Sequence, residues 1–211
     1  MAKLAFPLAA LFLVLLAVAD AGVLYLTVVN NCPFTIWPAI QPNAGHPVLE
    51  RGGFALPTLH HRSFLAPGAA APATLAQFDL HHGGPQRDFC SYGVSLVDGF
   101  NVPMTVTPHM GRGVCPVVGC RHDLLRTCPP PLQVRSGLRG HVVACKSGCE
   151  AFRTDELCCR NHYNSPQTCR PSEYSRFFKE ACPATFTFAH DSPSLMHDCE
   201  SPNELKVIFC H

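Results

Sequence analysis

Charge is scarce in this chain. Asp, Glu, Lys and Arg make up 15% of its 211 residues and leave a formal net charge of +1. There is thus no basic field to attract nucleic acid and no polybasic run to hold a membrane surface. No Asn-x-Ser/Thr sequon with a permitted middle residue occurs, so N-glycosylation is not expected. Ser, His and Asp are present in number, yet no Gly-x-Ser-x-Gly elbow marks a nucleophile. Long apolar runs are lacking too. The longest, Leu8 to Val18, falls short of the roughly 20 residues that cross a bilayer, and no transmembrane segment is expected. The chain has no internal repeat, and its 20 prolines and 15 glycines are dispersed, not gathered into a low-complexity tract. Such a composition favours many turns and few helices, which points to a β-rich core.

What is abundant is cysteine, at 13 residues, behind a leader. Lys3 supplies a basic n-region, Leu8 to Val18 the apolar stretch, and Ala19-Asp20-Ala21 a small-x-small cleavage pattern, so residues 1–21 read as a secretion signal. In an oxidising compartment, cysteines at this density form disulfides. Cys145, Cys149, Cys158, Cys159 and Cys169 with His162 would suggest a metal site in a cytosolic chain; here bridges are expected, and no metal or cofactor. The adjacent Cys158 and Cys159 pair with each other only under strain, so each is expected to pair outward. The odd total leaves one cysteine free or bridged between molecules.

Strand signals come early and late. Val23 to Val29 is β-branched and aromatic, and Phe34 to Trp37 follows the Asn30-Asn31 stop, which suggests an opening hairpin. Further strands are expected at Thr74–Leu80, Tyr92–Val97, Met104–Thr107, Ala184–Ala189 with Phe186 and Phe188 alternating, and Leu205–Phe209. Residues 115–182 differ in being cysteine-dense with two short helix signals. One is Lys146–Glu156; the other ends at Lys179 and opens at Pro171 or Ser172. Trp37 and the Phe177-Phe178 pair read as core anchors. His60-His61 and His81-His82 read as surface-loop histidines and not as metal ligands.

Several ordered blocks are specific enough to carry a family resemblance. They are Asn30-Asn31-Cys32-Pro-Phe-Thr-Ile-Trp37-Pro38, Gly53-Phe-Ala-Leu-Pro57, Pro72-Ala-Thr-Leu-Ala76, Ser95-Leu-Val-Asp98-Gly-Phe-Asn-Val-Pro-Met104, Cys158-Cys159, Tyr174-Ser-Arg-Phe-Phe-Lys179 and Ala181-Cys182-Pro183. In this order they resemble plant thaumatin-like proteins, the pathogenesis-related group 5 family, over nearly all of the mature chain. The resemblance implies a mainly β fold: a flattened β-sandwich with a disulfide-rich second domain of loops and short helices, and a cleft between the two. The expected layout is a signal peptide at 1–21, a sandwich from 22–114 and 183–211, and the disulfide-rich subdomain at 115–182. It also implies secretion to the apoplast, plant defence, binding of fungal cell-wall β-1,3-glucan, antifungal action, and in some members weak endo-β-1,3-glucanase activity.

The resemblance implies a disulfide framework as well. It pairs Cys32 with Cys210, Cys115 with Cys199, Cys120 with Cys182, Cys128 with Cys145, Cys149 with Cys158, and Cys159 with Cys169. Cys90 is left over, as a reactive thiol on a monomer or as the link of a disulfide dimer.

Departures from the family pattern bear on chemistry. Between Pro67 and Pro72 the chain passes straight through Gly68-Ala-Ala-Ala, where the family carries a further segment with a core strand, an arginine and cysteines. Glycoside hydrolysis needs two carboxyl groups in different environments. Of the family's cleft acids, one position holds Gln77, which can serve as neither acid nor base, and another holds Gly93. Asp98 and Asp191 align with the remaining two and are the glucan-binding candidates. Their plainer readings are a turn dipeptide, Asp98-Gly99, and a loop, Asp191-Ser-Pro. The sequence therefore reads as a carbohydrate-binding defence protein with little or no catalysis. The alternatives are a weak glucanase retaining activity through Asp98 and another acid, and a decayed paralogue or incomplete gene model.

Overall fold

The computed structural model of the protein describes residues 25–40, 49–65, 74–81, 89–136 and 140–210. The leader and the Gly68–Pro72 junction lie outside them. Strands β1 (Tyr25–Asn30), β2 (His61–Leu65), β5 (Met104–His109), β6 (Val118–Cys120) and β10 (Glu204–Phe209) form a five-stranded sheet in the order β2-β1-β10-β5-β6. Strands β3 (Leu75–His81), β4 (Phe89–Ser95) and β9 (His197–Glu200) form a second sheet in the order β3-β4-β9. The two face each other across a core of Tyr92, Val94, Met104, Val106, Leu205 and Val207, all 5% exposed or less. This is the expected mainly β sandwich.

The framework of this sheet also explains its longest bridge. β1 runs parallel to β10, with Asn30 opposite Phe209, so the chain segments leaving both strands depart together and Cys32 meets Cys210. The structure further joins Cys115 to Cys199, Cys120 to Cys182, Cys128 to Cys145, Cys149 to Cys158 and Cys159 to Cys169.

The last four of these bridges gather on the region after β6. There β7 (Gln133–Arg135) and β8 (Val142–Cys145) form a small ribbon, followed by helices α1 (Gly148–Phe152), α2 (Asp155–Cys158) and α3 (Glu173–Ala181). Ser172 caps α3 by accepting the Ser175 N–H at 3.1 Å, which settles where that helix starts. Glu173 in its first turn and Lys179 in its last match the helix dipole. Phe178 is fully buried against Leu96, Phe100, Leu124 and Leu132, with Tyr174, Phe177 and Ala181 beside it at helical spacing.

Four sequence expectations are corrected. Phe34–Trp37 does not form a hairpin with β1; the strands beside β1 are β2 and β10, and Ile36 makes a single bridge to Leu56. The cause is Asn30, fully buried, whose amide donates to the carbonyls of Phe34 and Leu56 at 2.9 Å while its oxygen accepts the Cys32 N–H. These bonds curl the chain away from the sheet and leave Trp37 73% exposed, so it is no core anchor. Ala184–Ala189 is not a strand either. Its buried positions are Thr185 and Thr187, whose hydroxyls bond locally to Cys182 O and Asp191, and only Phe186 bridges β4 at Ser95. Finally, His61 opens β2 and His81 closes β3, so neither belongs to a loop.

Candidate functional site

A small, open cleft lies between the sandwich and the helical region. One wall is the turn Val97-Asp98, the second is formed by Ser147 at the head of α1 and Ser172 at the head of α3, and the third is Thr187-Phe188.

Each wall has a local cause. The first depends on residues 96–100, which pass from the sandwich to the helical region. Phe100 and Cys145 exchange backbone hydrogen bonds at 2.8 and 2.7 Å, while the Gly99 N–H donates to Leu96 O. Gly99 has φ of +106°, and a Cβ there would lie 2.5 Å from the Cys145 carbonyl oxygen. Only glycine permits both that conformation and that approach, and the result is an exposed Asp98 beside the cleft. The second wall follows from capping, since Ser147 and Ser172 both accept an N–H from the first turn of their helix.

The third wall is held by Asp191. Its Oδ2 accepts the N–H of Thr187 at 2.9 Å and its hydroxyl at 3.0 Å, and pairs with Lys179 Nζ at 2.7 Å; its Oδ1 accepts the Ser192 N–H at 2.9 Å. With a side chain only 9% exposed, Asp191 is committed to shaping the loop that carries Phe188. Burial alone would raise its pKa, but the hydrogen bonds from Lys179, Ser192 and Thr187, with the Lys179 charge, outweigh burial and hold it below the ordinary value.

The sign of the resulting pH dependence follows. A carboxyl whose folded pKa is depressed stabilises the native state above its unfolded pKa of about 3.9, and that stability drains as pH falls through the lower folded value. Asp191→Asn is expected to cost about 2–3 kcal/mol at neutral pH, the scale of a charge-assisted hydrogen-bond network. The gap to wild type should narrow as pH drops below about 4. Melting temperatures of both proteins across that range check this; a gap that stays constant with pH would show the charge to be immaterial.

Asp98 is the one carboxylate among the described lining residues. Gln77 and Gly93 face each other across β3 and β4 and neither lines the cleft. Gly93 is also covered: a Cβ there would meet Met196 Sδ at 3.0 Å, Phe186 Cε2 at 3.1 Å and Leu195 O at 3.2 Å. Hydroxyls, backbone groups, one carboxylate and the Phe188 ring suit a neutral polyhydroxyl ligand, hydrogen-bonded through its edges and packed through its apolar faces. Sequence reasoning missed Ser147, Ser172, Thr187 and Phe188; the cap positions of the two serines were the available signal.

Cys90 is the free cysteine, and it is 1% exposed inside the sandwich. Burial, followed by the charges of Asp79 and Asp198, pushes its thiol up to about 12. Cys90, expected as either a reactive or a dimer-forming thiol, is shielded in this fold.

Comparison with known proteins agrees with this fold. An osmotin-like protein of Solanum lycopersicum is 61% identical over 249 aligned residues, covering 100% of this chain and 98% of the relative. Since the chain has 211 residues, at least 38 positions of that alignment (249 − 211) stand opposite gaps in it. A thaumatin-like protein of Arabidopsis thaliana is 37% identical, covering 95% of both chains. A relative from Prunus avium, 34% identical over 95% of this chain and 96% of its own, is named glucan endo-1,3-beta-glucosidase. The profile of the thaumatin family matches residues 66–211. Together with the sandwich and its bridges, these matches make the chain a member of the thaumatin family, among the osmotin-like and pathogenesis-related group 5 defence proteins, shortened by an internal segment.

Proposed function

We propose that the protein, exported after loss of its leader at residues 1–21, is an antifungal defence protein of the apoplast. It binds β-1,3-glucan of fungal walls along the cleft and hydrolyses it slowly or not at all. The observation that carries this reading is the lining itself: among the described residues, hydroxyls and Phe188 with a single carboxylate, Asp98. Glycosidases work with two carboxyl groups about 5–10 Å apart, and Asp191 is spent on Lys179, Thr187 and Ser192. In this reading Asp98 hydrogen-bonds sugar hydroxyls and Asp191 positions the Phe188 wall. A second reading, weak glucanase activity, is favoured by the name of the Prunus avium relative.

Co-sedimentation with insoluble β-1,3-glucan, run alongside a count of new reducing ends, separates the two. Retention on the glucan without new ends is expected, with Asp98→Asn weakening retention about tenfold, the worth of one charge-assisted hydrogen bond. Gln77→Glu should not create turnover, because position 77 stands outside the cleft lining. Steady release of reducing ends that vanishes in Asp98→Asn would make the hydrolase reading the correct one.

A further inference from the structure

Cys90 has a second cysteine directly across from it. In the antiparallel pairing of β4 with β9, Cys90 stands opposite Cys199, and both side chains belong to the same buried cluster between the sheets. Cys199 is already bonded, to Cys115 on the half-buried loop that follows β5. Glu200 exchanges both of its backbone hydrogen bonds with Arg112 on the outer edge of β9. Its neighbour Cys199 therefore turns its own N–H and C=O inward, toward β4. Residues that pair in this way have Cα atoms about 5.5 Å apart, inside the usual range for disulfides of about 4.4–6.8 Å. The Cys115–Cys199 bridge meanwhile is pressed against the chain at Gly111, where a Cβ would come 2.1 Å from Cys199 Sγ.

We infer that Cys90 is a built-in alternative partner for Cys199, so that thiol–disulfide exchange converts the Cys115–Cys199 bridge into Cys90–Cys199 and frees Cys115. The step balances without an oxidant. Cys90 gives up its proton and its sulfur attacks Cys199 Sγ; the Cys115–Cys199 bond breaks, and Cys115 leaves as thiolate and takes up a proton. The number of disulfides is unchanged, while a buried thiol is exchanged for one on a surface loop and residues 111–117 lose their covalent tether to β9, keeping the Arg112–Glu200 backbone hydrogen bonds. The elevated pKa of Cys90 keeps its thiolate scarce in the closed sandwich. Exchange is accordingly slow at rest and is admitted when local opening lets water reach the pair while β4 and β9 stay together.

Holding the oxidised protein just below its melting temperature without added thiol tests the inference. The sample is then quenched in acid, alkylated in denaturant and mapped by peptide mass. The label is expected to move from Cys90 to Cys115 as a linked Cys90–Cys199 peptide appears. In Cys90→Ala the same treatment should leave Cys115 unlabelled. Cys115→Ser, exposed to oxidised glutathione, should close a Cys90–Cys199 bridge with the loss of two hydrogens. A wild-type label that remains on Cys90 overturns the inference whatever the variants do. So does a Cys90–Cys115 peptide, or labelling of Cys115 in the Cys90→Ala chain.

Discussion

Reduced with excess thiol and alkylated, the protein is expected to lose its cooperative thermal transition altogether. Three of its bridges span separations of 178, 84 and 62 residues. By the chain-entropy account, loops of that size each contribute about 4–5 kcal/mol, against the roughly 5–15 kcal/mol of net stability that a native domain has. Nor does local structure offer a reserve. α1 and α2 have five and four residues and β6 and β7 three each, too short to persist without the bridges that hold them. The internal shortening reduces the apolar area that could compensate. Calorimetry of oxidised and reduced-alkylated protein checks this, and equal melting temperatures would show that the cores suffice alone.

Gly99→Ala should be the most damaging single change near the cleft. Alanine at φ of +106° is strained by about 1–3 kcal/mol. The new Cβ would also lie 2.5 Å from the Cys145 carbonyl oxygen, which is backbone and cannot swing aside. Overpacking of that kind adds typically 1–3 kcal/mol more. Relief requires the 96–100 turn to draw back from β8, breaking the Phe100–Cys145 hydrogen bonds and carrying Asp98 away from Ser147 and Ser172. Stability and glucan retention should fall together, and denaturant unfolding with co-sedimentation measures both. A variant that keeps full stability yet loses retention would show that Gly99 touches ligand and does not merely shape the turn.

Where local preference and burial agreed, the sequence sufficed. β1, β3, β4, β5 and β10 follow from β-branched and aromatic runs bounded by turns, and α3 from its cap and from the spacing of Tyr174, Phe177, Phe178 and Ala181. Oxidised cysteines follow from the leader and the cysteine density. β6 to β9, at three or four residues, carry too little periodicity to be read from the chain.

What tertiary structure alone decided are relations between residues far apart in the chain. That Trp37 faces solvent depends on the bonds of Asn30 to Leu56, and that Asp191 is a structural carboxylate depends on Lys179 arriving from α3. Gly93 is closed over because Phe186 and Met196 return across β4. Cys90 is an inert thiol in the native fold, yet a neighbour of a disulfide, because the register of β4 with β9 sets it against Cys199, 109 positions away (199 − 90). The reason is common to all four. Composition and spacing determine which residues seek the interior or a bridge, whereas register and chain return determine which of them meet, and a one-residue slip would reverse every face.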